Sequence, residues 1–312
     1  MFNGTTKEII FPSSLYSSPS SINNLLRQFN SLSIHDDNVI FDTSNIKWID
    51  SEVSAFIGAL IENLKIRQPT TKLFLKHNTS PSRSEELLSK NNFLNHYLDK
   101  NLYDYNSTGY TVKYDVLTVT RNALTKNDLT NIYAYLNNEL FSHSKWGANF
   151  ETYKNQLGFS ESIFELARNT SDHSRSENLI FAGQYYPTKN QFRLSIADNG
   201  LGIPLTVRAG SNATGSDAEL INWAVQKGNT SKSNNHARGM GLATIAKSLQ
   251  NVGELTIISG NGHWKQIDNG TVELTTLSHK FAGTYVRITF LNDKINNNSF
   301  SSEESFSANL PF

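Results

Sequence analysis

Short apolar runs and helix-spaced apolar residues alternate through the first hundred positions. Ile9 to Phe11 reads as a strand, and Ile22, Leu25, Leu26 and Phe29 then fall on one face of a helix. Val39 to Phe41 gives a second strand. Val53, Phe56, Ile57, Leu60, Ile61 and Leu64 recur at helical spacing, and Leu73 to Leu75 reads as a third strand. Ser82, three residues before Glu85, marks the capped start of a helix carrying Leu87 and Leu88. The sum is a small α/β domain over residues 1–106, its pattern ending near Leu98 and its boundary in the polar stretch Asp99 to Ser107.

The remainder is patterned differently. A strand at Thr111 to Val119 leads into a helix around Leu129 to Leu140, and another helix begins near Ser160. Strands follow at Leu179 to Tyr186 and Phe192 to Ala197, joined by a Pro-Thr-Lys-Asn turn. A helix at Asp217 to Lys227, one from Leu242, and strands at Leu255 to Ile258, Thr271 to Thr276 and Thr284 to Leu291 complete a second domain over residues 107–294. The expected class is α/β plus α+β, the second domain being a sandwich of a mixed sheet with helices on one face. From 295 to 312 the chain is Asn, Ser and Glu with isolated Phe, a composition that does not offset the entropy of ordering.

Composition narrows the function classes. In 312 residues, 28 Lys plus Arg balance 28 Asp plus Glu, so no net charge is available to a nucleic-acid backbone. The most continuous apolar stretch, Val53 to Ile61, lies between Glu52 and Glu62, far short of the roughly 20 residues that cross a bilayer. Met1 to Phe11 lacks the basic and apolar regions of a secretory signal. Cysteine is absent, which excludes disulfides, thiolate metal sites and cysteine nucleophiles. The expected compartment is the cytoplasm, with neither nucleic acid nor membrane as partner. No fixed-period repeat is present, so solenoids and propellers drop out.

Three clusters in the second domain carry candidate chemistry. On the helix through Glu165, Asn169 and His173, steps of four place a carboxylate, a carboxamide and an imidazole in one stripe, beside the apolar Ile163, Leu166 and Ala167. An amide oxygen suits a hard divalent ion that keeps most of its waters and phosphate ligands, as Mg²⁺ does. The carboxylate could orient or deprotonate a hydroxyl. Equally, Ser162 three before Glu165 matches a capping box, which would make Glu165 a helix-start residue.

The second cluster is Asp198-Asn-Gly200-Leu-Gly202-Ile203. Phe192, Leu194 and Ile196 alternate in the strand before it, so Asp198 points to the same buried side. A buried carboxylate needs a donor, which an exocyclic amine such as adenine N6 supplies, and the glycines allow close backbone approach. An ordinary Asp-Asn-Gly turn is the alternative. The third cluster, Arg238-Gly239-Met240-Gly241-Leu242, precedes a helix, whose free N–H groups make a phosphate cradle, with Lys232 and Arg238 adding charge; a plain connector is the alternative. Gly241 to Ser248 is one glycine short of a P-loop, having Ala246 instead and Lys247 inside the helical pattern. Neither glycine pair extends to a dinucleotide fingerprint, since Leu205 and Thr244 occupy the third position.

Together the clusters resemble the GHKL ATPase superfamily, named for gyrase, heat-shock chaperone, histidine kinase and MutL, over Leu117 to Leu291. Glu165 and Asn169 look like its N-box, Asp198, Gly200 and Gly202 like its Asp-x-Gly-x-Gly box, and Gly239, Gly241 and Leu242 like its Gly-x-Gly-Leu box. Gly228-Asn-Thr230-Ser-Lys232 is similar to a Gly-x-Thr-Ser-Lys lid sequence of several members. The resemblance implies a Bergerat-type sandwich with ATP and Mg²⁺ as ligands. In that implied site Glu165 is the general base, Asn169 the Mg²⁺ ligand and Asp198 the partner of the adenine amine. The implied ATP-binding set also takes in His173, Gly200, Gly202, Ile203, Thr230, Lys232, Arg238, Gly239, Met240, Gly241 and Leu242.

Val39-Ile-Phe-Asp42 with Trp48-Ile-Asp50-Ser51 resembles the STAS domain of anti-sigma-factor antagonists, which pair with GHKL serine kinases. Members usually carry Asp-Ser-Ser-Gly at this helix start, the second serine accepting phosphate. Here Glu52 and Val53 replace that serine and the glycine, a glutamate that could imitate the phosphorylated state, while Ser51 remains as a helix cap.

No phosphoacceptor histidine on a dimerising helix is apparent, and no transducer domain follows the second domain, which argues against sensor kinase, topoisomerase and chaperone work. Three functions remain. One is a Mg-ATP-dependent regulatory switch with slow hydrolysis. The second is a serine/threonine kinase acting on a STAS-like partner, and the third a nucleotide-binding interaction module without turnover. A STAS-like or other regulatory protein, or a second copy of the chain, is the implied protein partner.

Overall fold

The computed structural model describes residues 4–97, 109–121, 123–146, 159–171, 175–226, 229 and 241–297. In chain order, β1 (Thr6–Ile10), β2 (Ser14–Leu15), α1 (Pro19–Asn30), β3 (Asn38–Asp42), β4 (Trp48–Ile49), α2 (Val53–Arg67), β5 (Lys72–Lys76), α3 (Arg83–Lys90) and α4 (Phe93–Tyr97) come first. Then follow β6 (Thr111–Thr118), α5 (Lys126–Leu136) with a π-helical turn Asn137–Phe141, α6 (Phe159–Asn169), β7 (Asn178–Tyr186) and β8 (Gln191–Asp198). The last elements are α7 (Ile203–Gly210), α8 (Asp217–Val225), α9 (Gly241–Ser248), β9 (Gly253–Gln266), β10 (Val272–Leu291) and α10 (Asn292–Asn297).

The α/β plus α+β class is borne out. A parallel sheet runs β1-β3-β5, and a five-stranded sheet runs β6-β7-β8-β10-β9. The five-stranded sheet is not mixed as expected: each of its ladders is antiparallel. The reason lies in the connections. β7 and β8, and β9 and β10, are direct hairpins, and the long crossover through α7, α8 and α9 sets β9 outside β10 rather than beside β8. The strands expected at Thr271 to Thr276 and Thr284 to Leu291 are one strand, β10, which starts at Val272 and whose register slips between Thr276 and Thr284 where Leu277 and Phe281 turn inward. The proposed boundary at 99–107 and most of the 295–312 tail lie outside the described residues.

Local chemistry accounts for several of these elements. Ser82 and Glu85 form the expected capping box of α3, and Thr125 with Asp128 forms another at α5. Burial opposes the Glu85 charge, but N–H groups of Ser82 and Asn78 and the Thr43 hydroxyl donate to it and hold its carboxyl below the usual range. The free edge of β1 is blunted by Gln28, whose amide accepts from the Ile10 N–H at 2.8 Å and donates to the Ile10 carbonyl at 2.9 Å.

Both faces of the five-stranded sheet are buried. On one, Phe192, Leu194, Ile196, Val286 and Ile288 pack with Ile163, Leu166 and Ala167 of α6 and Leu242, Ile245 and Leu249 of α9. On the other, Ile180, Ala182, Ala197, Ile258 and Tyr285 share a core with α2 and with Val39 and Phe41 of the parallel sheet. The two-residue strand period separates these sets. Helix α2 therefore lies between two sheets, and every residue from Val53 to Leu60 is buried, Ser54, Ala55 and Gly58 included. Periodicity predicts one apolar face; the absence of a polar opposite face is the mark of a helix covered on both sides.

The first turn of α2 meets the sheet through charge. Arg193 Nη1 lies 3.0 Å from Asp50 Oδ2 and 3.1 Å from Glu52 Oε1, and the Tyr186 hydroxyl donates to Glu52 Oε2 at 2.8 Å. Burial and the Glu52 charge push the Asp50 carboxyl up, with Arg193 only partly offsetting them. Removing one member of such a buried set costs about 3–5 kcal/mol, because the rest is left uncompensated.

Midway along α2, Gly58 faces Tyr114 of β6. A Cβ on Gly58 would stand 2.2 Å from the Tyr114 hydroxyl oxygen, which is itself 2.6 Å from that of Tyr97. Alanine at an ordinary helix position gains about 1 kcal/mol over glycine. Here the overlap reverses the sign: Gly58→Ala is expected to lower stability in urea unfolding by about 1–3 kcal/mol, and Tyr114→Phe should recover part of that loss. A Gly58→Ala protein as stable as the parent would refute the close approach.

Candidate functional site

The strand period puts Asp198 on the helix-bearing face, continuing the row Phe192, Leu194, Ile196. It pairs with Thr284 of β10, which pairs in turn with Ser259 of β9, so three polar residues form one cross-strand row at the end of the sheet. Asp198 is buried, and its Oδ1 accepts the Gly200 N–H at 2.9 Å, so part of its capacity is used by its own turn. The expectation that a ligand must supply its missing donor is thereby weakened, while the Asp-Asn-Gly turn reading holds alongside the site reading.

Gly202 is demanded by the fold. Its φ is +82°, and a Cβ there would meet Ser259 Oγ at 2.6 Å and the Gly283 carbonyl at 2.8 Å. Ser259 ties the turn down: it accepts the Ile203 N–H at 2.9 Å and donates to the Gly283 carbonyl at 2.7 Å. Ile203, half-buried, opens α7 with Pro204 next to it, a favoured place for proline in the first turn. Gly202 thus owes its identity to a backbone contact within the protein, and close approach of a ligand is not needed to explain it.

Helix α6 carries Glu165 and Asn169. It starts at Phe159, so Ser162 is inside the helix and the capping-box alternative for Glu165 does not hold. Ile163, Leu166 and Ala167 face the core, as the stripe predicts, and Glu165 and Asn169 are half-buried beside them. The Glu165 carboxylate lies 3.4 Å from Arg168 Nη1. A partly exposed pair at this spacing contributes only a few tenths of a kcal/mol, roughly 0.3–0.5, and leaves the carboxylate free to exchange partners. Just beyond Asn169, Ser171 donates to the Thr120 carbonyl, at the exit of β6. Ser176 donates to Asn199 Oδ1, at the exit of β8. The C-terminal turn of α6 and the Asp198 turn are therefore held at the same end of the sheet, on its helix-bearing side.

Helix α9 packs against α6, with Leu242 buried in their common core and Gly241 at its first position. Lys247 sits inside α9, consistent with rejecting a P-loop. His173, Thr230, Lys232, Arg238, Gly239 and Met240 lie outside the described residues. Asn169 offers one neutral oxygen, which fits an ion that keeps its other ligands from water and phosphate.

Thr284 was missed by sequence reasoning. Its signal was available: Thr284, Val286, Ile288 and Phe290 alternate, which puts the threonine on the core-facing row beside Asp198. Just before α2, Ser51 is fully buried and accepts from Asn91 Nδ2 at 2.8 Å. It does not cap α2, whose N-cap position is Glu52 and has no side-chain cap bond. Glu52 is committed to Arg193 and Tyr186. No helix among the described residues is long and apolar enough to cross a membrane.

No family model matches the chain, and no curated protein does. Among solved structures it is similar to the N-terminal domain of a DNA repair protein, at 18% identity over 32% of this chain and 27% of that one, with a TM-score of 0.18. It is also similar to the ATPase region of Saccharomyces cerevisiae topoisomerase II, at 12% identity over 36% of this chain and 32% of that one, with a TM-score of 0.23. The likeness spans about a third of each chain.

Because Gly202 answers to an internal contact, Gly202→Ala is expected to destabilise the protein without any ligand, by about 2–5 kcal/mol from the sum of strained φ and overlap. Thermal unfolding of the ligand-free variant tests this; an unchanged midpoint would mean that the glycine serves only an external partner.

Proposed function

We propose that the chain is a Mg-ATP-binding regulatory switch of the GHKL type, with the nucleotide seated between α6 and the Asp198 turn. The observation that supports the reading is the common location of two elements far apart in sequence. The turn after Asn169 is tied to the exit of β6 and the turn after Asp198 to the entry of β7, at the same end of the sheet. In this reading Asp198 accepts from the adenine amine, and Thr284 lies next to it in the same cross-strand row. Asn169 supplies an amide oxygen to Mg²⁺, which when bound would offset the phosphate charge. The N-terminus of α9 offers N–H groups to the phosphates.

Glu165 gives the site a carboxylate for orienting water, since its weak pair with Arg168 leaves it able to exchange partners, and the switch reading takes the hydrolysis to be slow. The kinase reading finds no acceptor within the chain at the STAS-like position, since Ser51 is buried and Glu52 replaces the usual serine. A separate STAS-like protein would have to provide one.

Asn169→Ala should abolish Mg²⁺-dependent ATP binding in calorimetry, and parent-like affinity would count against the metal assignment. Asp198→Asn should weaken ATP by about 1–3 kcal/mol, the worth of a hydrogen bond to a charged group; an unchanged preference for ATP over GTP would contradict the adenine role. Incubation with γ-labelled ATP separates the reaction classes. Free phosphate, reduced in Glu165→Ala, supports the switch; label on an added STAS-like protein supports the kinase, and neither product supports a binding module.

A further inference from the structure

Helix α2 touches β8 through polar groups at two places. Near its start, Glu52 meets Arg193; eleven residues later, the Asn63 side chain donates to the Asn199 carbonyl at 3.4 Å. These contacts are about 16 Å apart along the helix axis. Between them α2 is apolar and closely fitted: Phe56 lies tilted against Phe281 with ring centroids 4.6 Å apart and meets Tyr285 edge-on at 5.6 Å. A helix so gripped moves as a rod, because packed interfaces shift between discrete seatings and do not deform smoothly.

Asn199 is the residue at which this rod meets the candidate site. It directly follows Asp198, its carbonyl accepts from α2, and its Oδ1 accepts from Ser176 in the segment leading from α6 to β7. Its Nδ2 is buried without a hydrogen-bond partner, so the turn holds an unsatisfied donor that a small shift could engage. Asp198 continues the helix-facing row of β8, while the backbone carbonyl of the next residue, Asn199, is the group that meets α2.

We propose that α2 couples occupancy of the Asp198 turn to the seating of the N-terminal α/β unit on the sheet, with Asn63 to Asn199 as the contact that carries it. The proposal rests on the reading of the Asp198 turn as a nucleotide site. By linkage, a nucleotide that favours one seating must bind more tightly when that seating is stabilised, and more weakly when it is loosened. The contact then regulates affinity as well as holding the two units together.

The test is hydrogen exchange of the full chain, parent and Asn63→Ala, with and without Mg-ATP, beside calorimetric affinities. The expected result is slower exchange of α2 amides on adding nucleotide to the parent, and loss of that response in Asn63→Ala with an affinity weakened about 2- to 10-fold, the range for one hydrogen bond. Glu52→Gln, at the other end of the rod, should weaken affinity in the same direction. If the parent binds ATP but α2 exchange is unchanged, or if Asn63→Ala lowers only the unfolding temperature, the coupling is refuted and the nucleotide site stands. If the parent does not bind ATP, both fall.

Discussion

One helix between two sheets sets the geometry of the chain. Burying α2 on both sides from Val53 to Ile61 removes the choice that a surface helix has, because over that stretch no orientation about its axis leaves a polar face for water. Its side chains must be matched to the parallel sheet and to the inner face of the antiparallel sheet at once, which is why small residues are interleaved with large ones. Gly58 admits Tyr114, and Phe56 fills the space beside Phe281 and Tyr285. A buried phenylalanine or isoleucine contributes about 1.5–3 kcal/mol relative to exposure, so the two units share a large part of their stabilisation.

That arrangement also explains why the antiparallel sheet reads as it does. A sheet packed on one side by helices and open to water on the other would alternate apolar with charged residues. β8 instead alternates Phe192, Leu194 and Ile196 with Arg193, Ser195 and Ala197, whose side chains are small or committed to a specific partner. Arg193 has both Asp50 and Glu52, and Ser195 donates to the Tyr285 hydroxyl at 2.9 Å. The polar groups on this face are there because a second layer supplies their partners.

Much of this was legible from residues. Most helices and strands follow from spacing, though not α7 or the two-residue β2 and β4, whose apolar residues are too few to show a period; the α3 cap follows from Ser82 and Glu85, and the common face of Asp198 and Ile196 from a period of two. What escaped was information that a local pattern does not carry. The second cover on the sheet shows in sequence only as the unusual evenness of Val53 to Ile61, which one-face counting passes over. The antiparallel order depends on where a long crossover returns. The contact that excludes a Cβ at Gly202 involves Ser259 and Gly283, more than fifty residues away, so a glycine there reads equally well as a turn or as a ligand contact. Thr284 was legible but unread, because attention went to glycines and carboxylates and not to the row opposite them.

The charged cluster at the start of α2 has a role that its energy alone does not explain. Two carboxylates and a guanidinium taken out of water gain little net stability over an apolar replacement of similar volume. An apolar helix on an apolar sheet, however, is held in register by shape alone, whereas a buried charge adds a penalty for every other register, a turn of about 5.4 Å away included. Glu52 and Asp50 reach Arg193 in one register only; a slip by a turn would bury an unpaired guanidinium. By fixing the helix at that end, the cluster determines which residue arrives at the other, and in the register it selects that residue is Asn63, facing the carbonyl of Asn199. The buried ion pairs therefore act as a gauge for alignment, and their cost in desolvation is offset by the exclusion of competing seatings.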